Sequence, residues 1–203
     1  ELKNGDILFM WSQFVEVYRM SPDENPPSAG LRGSALSDNG FCRFSAMVSK
    51  DGGKTWLEPW VAIDDRDALV NILSPGLTRL PDGRLMVAYS WRSSQNRTDK
   101  NRIDKELRDA TKRIRFSDDE GRTWSNYKEL RHDLEGYHTG AYDRSYTLAS
   151  GRILVQRHTI IPNETGFKEL GTYISYSDDQ GKTWKRSKVL TDQVNRHFEE
   201  ASL

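Results

Sequence analysis

An all-β fold built from a repeated four-stranded unit is predicted by three observations. The octet Ser-x-Asp-x-Gly-x-Thr-Trp occurs three times, at Ser49–Trp56, Ser117–Trp124 and Ser177–Trp184, with Asp-to-Asp steps of 68 and 60 residues. Each octet is preceded by an apolar run, a glycine turn and a second apolar run, centred on Gly5, Gly83 and Gly151. The intervening segments are short, rich in β-branched and aromatic residues, and bounded by Gly, Asp and Asn.

Each unit therefore reads as strand A, a tight glycine turn, strand B, a variable connection, strand C, the octet turn and strand D. In the second unit these fall at Gly76–Leu80, Leu85–Trp91, Arg113–Ser117 and Trp124–Leu130. Leu85-Met86-Val87-Ala88-Tyr89 hardly alternates, as befits a strand buried on both faces. Four-stranded units at this period point to a β-propeller. The divisions are blade one at about 1–70, blade two at about 71–135, blade three at about 136–195 and the opening of a fourth at 196–203.

Within the octet, the fifth-position glycine can take positive φ in a tight hairpin. The Asp carboxylate can accept hydrogen bonds from turn amides, and the Trp can pack between neighbouring sheets. An acid repeated in every unit serves the fold before it serves chemistry.

Composition sets outer bounds. Thirty Lys+Arg offset thirty Asp+Glu, which argues against a general nucleic-acid binder needing a clustered basic excess. No apolar run approaches the roughly 18 residues of a membrane-spanning helix. The one cysteine, Cys42, leaves no intrachain disulfide or cysteine metal cluster. His132, His138, His158 and His197 lack ligand-like spacing, so neither metal nor cofactor is predicted. Hydrophobic content is 35%, but 21 aromatic residues supply large buried areas.

Meander topology places the start of A, the end of B and the start of C at one end, called the mouth here, and the glycine turns and octets at the other. That removes Asp51, Asp119 and Asp179 from catalytic candidacy. The long B–C connections, Glu16–Asp38 and Ser93–Lys112, then overhang the mouth, where binding rims commonly form. Nine residues before the turn glycines stand Ser74 and Tyr142, at the predicted start of strand A. Glu200 holds the matching place in the fourth unit. Trp91, Arg92, Arg157, His158, Asp143 and Arg144 also fall at the mouth end, and aromatics beside polar groups suit sugar stacking. On the residues alone, each reads equally as a packing or loop residue.

The octet resembles the Asp box, or bacterial neuraminidase repeat, of sialidase-like propellers, and the resemblance spans essentially the whole chain. Such propellers have six blades, so the resemblance implies about half a wheel, marginally stable and inactive by itself. It implies a catalytic Asp some eleven residues before the first octet, where Asp38 stands, as acid and then base at the leaving oxygen. Asp38 also reads as a turn residue in Asp-Asn-Gly. The resemblance further implies a Glu opening blade four that accepts a proton from a tyrosine nucleophile. Glu200 fits, with Glu199 beside it. A neutral tyrosine avoids the repulsion a carboxylate nucleophile would meet at the carboxylate-bearing anomeric carbon of sialic acid. The family's arginine triad and tyrosine correspond to positions outside 1–203.

Two positions depart from the pattern. Where sialidases often carry Asp-x-Arg at the end of blade-one strand B, this chain has the segment Trp11-Ser12-Gln13-Phe14, and Ser74 stands where an Asp is common at the start of the blade-two strand. Both lie in the expected sugar pocket, so a different sugar is an open alternative. The resemblance implies a retaining exo-glycosidase acting on a glycan or glycoconjugate, secreted, periplasmic or on the cell surface. The substrate-binding candidates are Ser12, Gln13, Ser74, Trp91, Arg92, Tyr142, Arg144 and His158. The competing reading is a non-catalytic propeller that binds glycans or proteins.

Overall fold

The computed structural model describes residues 1–15, 41–66, 71–92, 110–132, 145–162 and 168–190, the side chains of 160–162 and 168–170 excepted. Eleven strands are present: β1 (Ile7–Phe14), β2 (Cys42–Ser49), β3 (Trp60–Ile63), β4 (Asn71–Arg79), β5 (Leu85–Arg92), β6 (Ala110–Ser117), β7 (Lys128–Leu130), β8 (Ser145–Thr147), β9 (Ile153–Pro162), β10 (Lys168–Ser177) and β11 (Lys185–Arg186). They form three sheets, ordered β1-β2-β3, β4-β5-β6-β7 and β8-β9-β10-β11. No helix occurs among the described residues. The chain divides into two compact units, Glu1–Leu73 with Trp91–Asp109, and Ser74–Ser90 with Ala110–Leu203.

The A–B turn is built alike three times. Leu2 N donates to Asp6 O, Leu80 N to Arg84 O and Leu148 N to Arg152 O, at 2.8–2.9 Å. Gly5, Gly83 and Gly151 each donate back to the same leucine carbonyl, with φ of 85° to 88°. Leu2 and its neighbours thus enter the turn that strand A enters in the other sheets.

The octet turns are equally uniform. Ser49, Ser117 and Ser177 each donate from Oγ to the octet Asp at 2.8 Å, while Oγ accepts from the fifth-position glycine amide at 2.8–2.9 Å. Each Asp Oδ1 accepts the Thr amide at 2.8 Å, and Oδ2 accepts the Thr hydroxyl. Positions four and five both have positive φ, as in Glu120 (60°) with Gly121 (87°). The octet closes its own turn by side-chain hydrogen bonds, with the acid as hub.

Register places turns and octets at one end. Ile7 pairs with Ser49 and Ile153 with Ser177, beside the turns, while Phe14 pairs with Cys42 far from them. In the second unit, Leu80, Met86, Ala88, Ile114, Phe116 and Leu130 of one sheet pack with Ile153 and Val155 of the next, and Trp184 joins them. Further ties run from Arg157 Nη1 to Leu130 O (2.6 Å), between His132 Nε2 and Ser175 Oγ (2.8 Å), and from Ser145 Oγ to Gly76 O (3.2 Å).

The predicted strands need three corrections. β4 begins at Asn71 rather than Gly76, and β6 at Ala110 rather than Arg113. β7 begins at Lys128 rather than Trp124. Ser125 explains the last: its Oγ accepts the Phe116 amide that a ladder carbonyl would take (3.1 Å), and its carbonyl accepts Arg115 Nη1 (2.6 Å). The expected burial of β5 on both faces holds, with Leu85 through Trp91 all buried.

Candidate functional site

The mouth end of the first compact unit gathers polar side chains from four strands. Ser12 and Gln13 lie near the end of β1, Cys42 and Arg43 open β2, Asn71 opens β4, and Trp91 and Arg92 close β5. Strand alternation turns Ser12 and Cys42 to one face of the β1–β2 pair and Gln13 and Arg43 to the other. On the first face, Ser12 hydrogen-bonds the Cys42 thiol and Arg92 bears on it electrostatically. Burial pushes that thiol up to about 12, against the pull of both partners, so Cys42 is a neutral, inert packing residue. The Arg92 Nε donates to Asn71 Oδ1 at 3.0 Å.

On the second face, Arg43 Nε donates to Gln13 Oε1 at 2.9 Å, and Ser45 Oγ donates to the same oxygen at 2.7 Å. Gln13 is therefore committed through its carbonyl to its neighbours. Trp11 follows on this face and stacks on Phe9, with centroids 5.7 Å apart and planes 19° from parallel. Of the sequence candidates, Ser12, Gln13 and Arg92 are thus placed at one end of one unit. Trp91 is there too, but only 8% exposed.

In the second unit, Ser74 is not at the start of its strand. It is the fourth residue of β4, with φ of 58°, a left-handed value rare for a non-glycine residue and rarer before proline. Such strain persists only where surroundings enforce it, and it gathers at functional sites. His158 is 6% exposed in β9. Arg157 beside it is fully buried, and burial lowers its guanidinium to about 10. Lys112, buried in β6 within hydrogen-bond reach of Ser90 Oγ (3.3 Å), is held well below the ordinary lysine value by burial and then by the Arg157 charge. Asp38, Glu200, Tyr142 and Arg144 lie outside the described residues.

Sequence reasoning missed Arg43 and Asn71. The signal for Arg43 was present: the octet-to-octet spacings align it with Thr111 and Gly171, so its arginine is no part of the repeat. Asn71 carries no such signal, because it lies ahead of the strand A that the sequence predicts from Gly76.

The comparisons with known proteins bear on this geometry. The family described as BNR repeat-like domain matches residues 41–201. The chain belongs to that family. No curated protein matches the sequence closely enough to count as a relative. Among solved structures, a protein of unknown function from Dyadobacter fermentans is 23% identical, with a TM-score of 0.69 over 98% of this chain and 55% of that one. The NanB sialidase from Streptococcus pneumoniae is 14% identical, with a TM-score of 0.63 over 94% of this chain and 43% of that one. Trypanosoma rangeli sialidase is 21% identical, with a TM-score of 0.54 over 75% and 27%. These likenesses show the fold: the BNR chain has the antiparallel blades of a sialidase-like β-propeller and spans about half or less of the structures it matches.

Proposed function

We propose that the chain contributes to a retaining exo-glycosidase that removes a terminal acidic sugar, sialic acid first among the candidates, from a glycan. The observation that carries this reading is the clustering of Ser12, Gln13, Arg43, Asn71 and Arg92 at the strand ends opposite the octets, in a chain of the BNR family with a sialidase-like fold. On this reading Asp38 is the general acid and base, and Glu200 accepts the proton of a tyrosine nucleophile. Ser74, His158, Tyr142 and Arg144 are further candidates for sugar contacts on the same reading. Secretion or display at the cell surface follows as part of the same reading.

The test is hydrolysis of an aryl sialoside by the full-length protein and its Asp38→Ala variant. Loss of a positioned general acid is expected to lower turnover by roughly 10²–10⁴. Wild-type turnover in the variant would remove Asp38 from the mechanism. A second reading, glycan binding without hydrolysis, is favoured by the uncharged segment Trp11-Ser12-Gln13-Phe14 and by Ser74, where sialidases often carry charges. It predicts sugar binding with no turnover in the full-length protein.

A further inference from the structure

We propose that the octet end of the second compact unit carries a carbohydrate-binding site of its own, which takes a carboxylated sugar ring of the uronic acid kind and is independent of the mouth and of any catalysis there. Where the sheet of β4 to β7 meets the sheet of β8 to β11, the turns enclose a cleft of about 350 Å³. Clefts that hold small ligands run from ~300 to 1,000 Å³, and the lower end of that range suits a single ring. The first of these sheets supplies Arg84, Asp118, Asn126 and Lys128 around the Phe116 ring. The other supplies Gln180 and Lys182 from the third octet. Strand β5, about 25 Å long at its rise per residue, separates this end from the mouth.

The walls stand on turns that are already closed. Arg84 Nη2 donates to Gln180 O across the seam at 3.2 Å, and its guanidinium lies 4.8 Å from the Phe116 centroid. Ser125 N donates to Phe116 O at 2.8 Å while Ser125 Oγ accepts the Phe116 amide at 3.1 Å, which holds the segment leading to Asn126 and Lys128. Beside Gln180, the Gly181 amide donates to Ser177 Oγ at 2.9 Å.

The polar side chains of the cleft are uncommitted, and Asp118 is the informative one. In the third sheet the aligned residues, Arg152 and Asp178, form an ion pair at 2.6 Å. In the second sheet Arg84 pairs with Asp82 instead, at 2.7 Å: an acid stands two residues before the arginine, where the third sheet has Ser150. Among the described residues Asp118 is left without an ion pair or side-chain hydrogen bond, and Lys128 and Lys182 likewise make neither. The octet turn does not require these side chains. The first sheet, with the same octet, has Lys50, Glu58 and Trp60 at the places of Asp118, Asn126 and Lys128.

This mixture selects a chemistry. Two ammonium groups attract an anion, and Asp118 opposes one that offers acceptors only, as inorganic phosphate does. A sugar acid satisfies both halves. Its carboxylate meets Lys128 and Lys182, and its hydroxyls donate to Asp118. The Asn126 and Gln180 amides each donate and accept, as sugar hydroxyls do.

The test is equilibrium titration of the full-length protein with cellobiouronic acid, with cellobiose as the neutral match and inorganic phosphate as the plain anion. The double variant Lys128→Ala/Lys182→Ala is expected to weaken binding of the acid roughly tenfold or more and to leave cellobiose nearly unchanged. Asp118→Asn should move the two anions in opposite directions, weakening the acid severalfold and tightening phosphate. A residue that only shaped its turn would not produce that split. Tm should hold in every variant, because none of these side chains ties the fold together. Acid binding that survives the double lysine substitution would belong elsewhere on the protein and overturn the proposal. So would phosphate binding more tightly than the acid in the wild type, tighter binding of a glutamate-rich peptide, or no binding of the acid at all. None of these outcomes depends on whether the protein hydrolyses a sialoside.

Discussion

The two ends of each sheet follow opposite rules. At the octet end, the three sheets share one set of hydrogen bonds, from the Ser Oγ to the Thr hydroxyl, and two of them share an arginine over an aromatic ring. Arg84 lies 4.8 Å from the Phe116 centroid and Arg152 lies 4.8 Å from the Tyr176 centroid. At the mouth end the sheets diverge at two aligned positions: Gln13, Trp91 and Thr159 share one, and Arg43, Thr111 and Gly171 the other. Uniformity marks what the fold needs, and divergence marks where a particular sheet is free to do something else. A second contrast lies within the uniform end. Trp184 joins the core of the second unit, whereas Trp56, its counterpart, is 38% exposed and lies 5.7 Å from Phe9 of its own sheet.

The largest expected effect separates two glycines of identical sequence role. Gly181 and Gly53 have φ of 83° and 88°, so an added methyl strains both backbones alike, by about 1–2 kcal/mol. At Gly181 a Cβ would also stand 2.7 Å from Phe116 Cζ, inside the packed sheet interface, while at Gly53 the nearest atom is 3.8 Å away. Overpacking adds about 1–3 kcal/mol. Gly181→Ala should therefore lose clearly more denaturation free energy than Gly53→Ala, and equal losses would mean that the octets do not differ in packing.

The tryptophans give the next contrast. Removing an aromatic side chain from a core costs about 3–5 kcal/mol when it is fully buried, and Trp184, partly buried, should fall near the lower bound. Trp56→Ala should cost about 1 kcal/mol or less, because much of its ring already meets water. Chemical denaturation of both variants measures the gap.

How much of this was legible follows from the same contrast. The octets announced themselves because a turn that needs Ser, Asp, Gly and Thr at fixed offsets has one sequence solution, and the structure builds it three times. The antiparallel order, the end on which the turns lie and the burial of β5 followed from spacing and composition. Strand limits did not. Ser125 diverts the Phe116 amide into a side-chain bond, and no periodicity reports that. The site was legible only in part. Position placed Ser12, Gln13 and Arg92 at the mouth end, yet the hydrogen bond by which Gln13 holds Arg43, thirty residues away, is invisible until two strands are paired.

Ser74 tests the mouth end through strain. A non-glycine residue in the left-handed region costs about 1 kcal/mol or more relative to glycine. Ser74→Gly should therefore stabilise the protein by up to about 1 kcal/mol while lowering sugar affinity if the hydroxyl serves the site. A stabilised protein with unchanged affinity would make Ser74 a backbone feature alone.

The smallest effect concerns acid. Hydrogen bonds from the Thr55 hydroxyl and amide hold the Asp51 carboxyl down to about 2, and Thr183 does the same for Asp179. A folded-state value below the unfolded one means the unfolded chain binds protons first. The contribution of these turns is complete above about pH 4, declines as pH falls, and is gone below about pH 2. Asp51→Asn and Asp179→Asn keep an acceptor but cannot titrate, so each should show a shallower fall of Tm between pH 4 and pH 2 than the wild type. The two slopes should match, because both turns are exposed and built alike. Unequal slopes would show that the octet end is less uniform than its hydrogen bonds, and that packing against Phe116 reaches into the chemistry of the Asp179 turn.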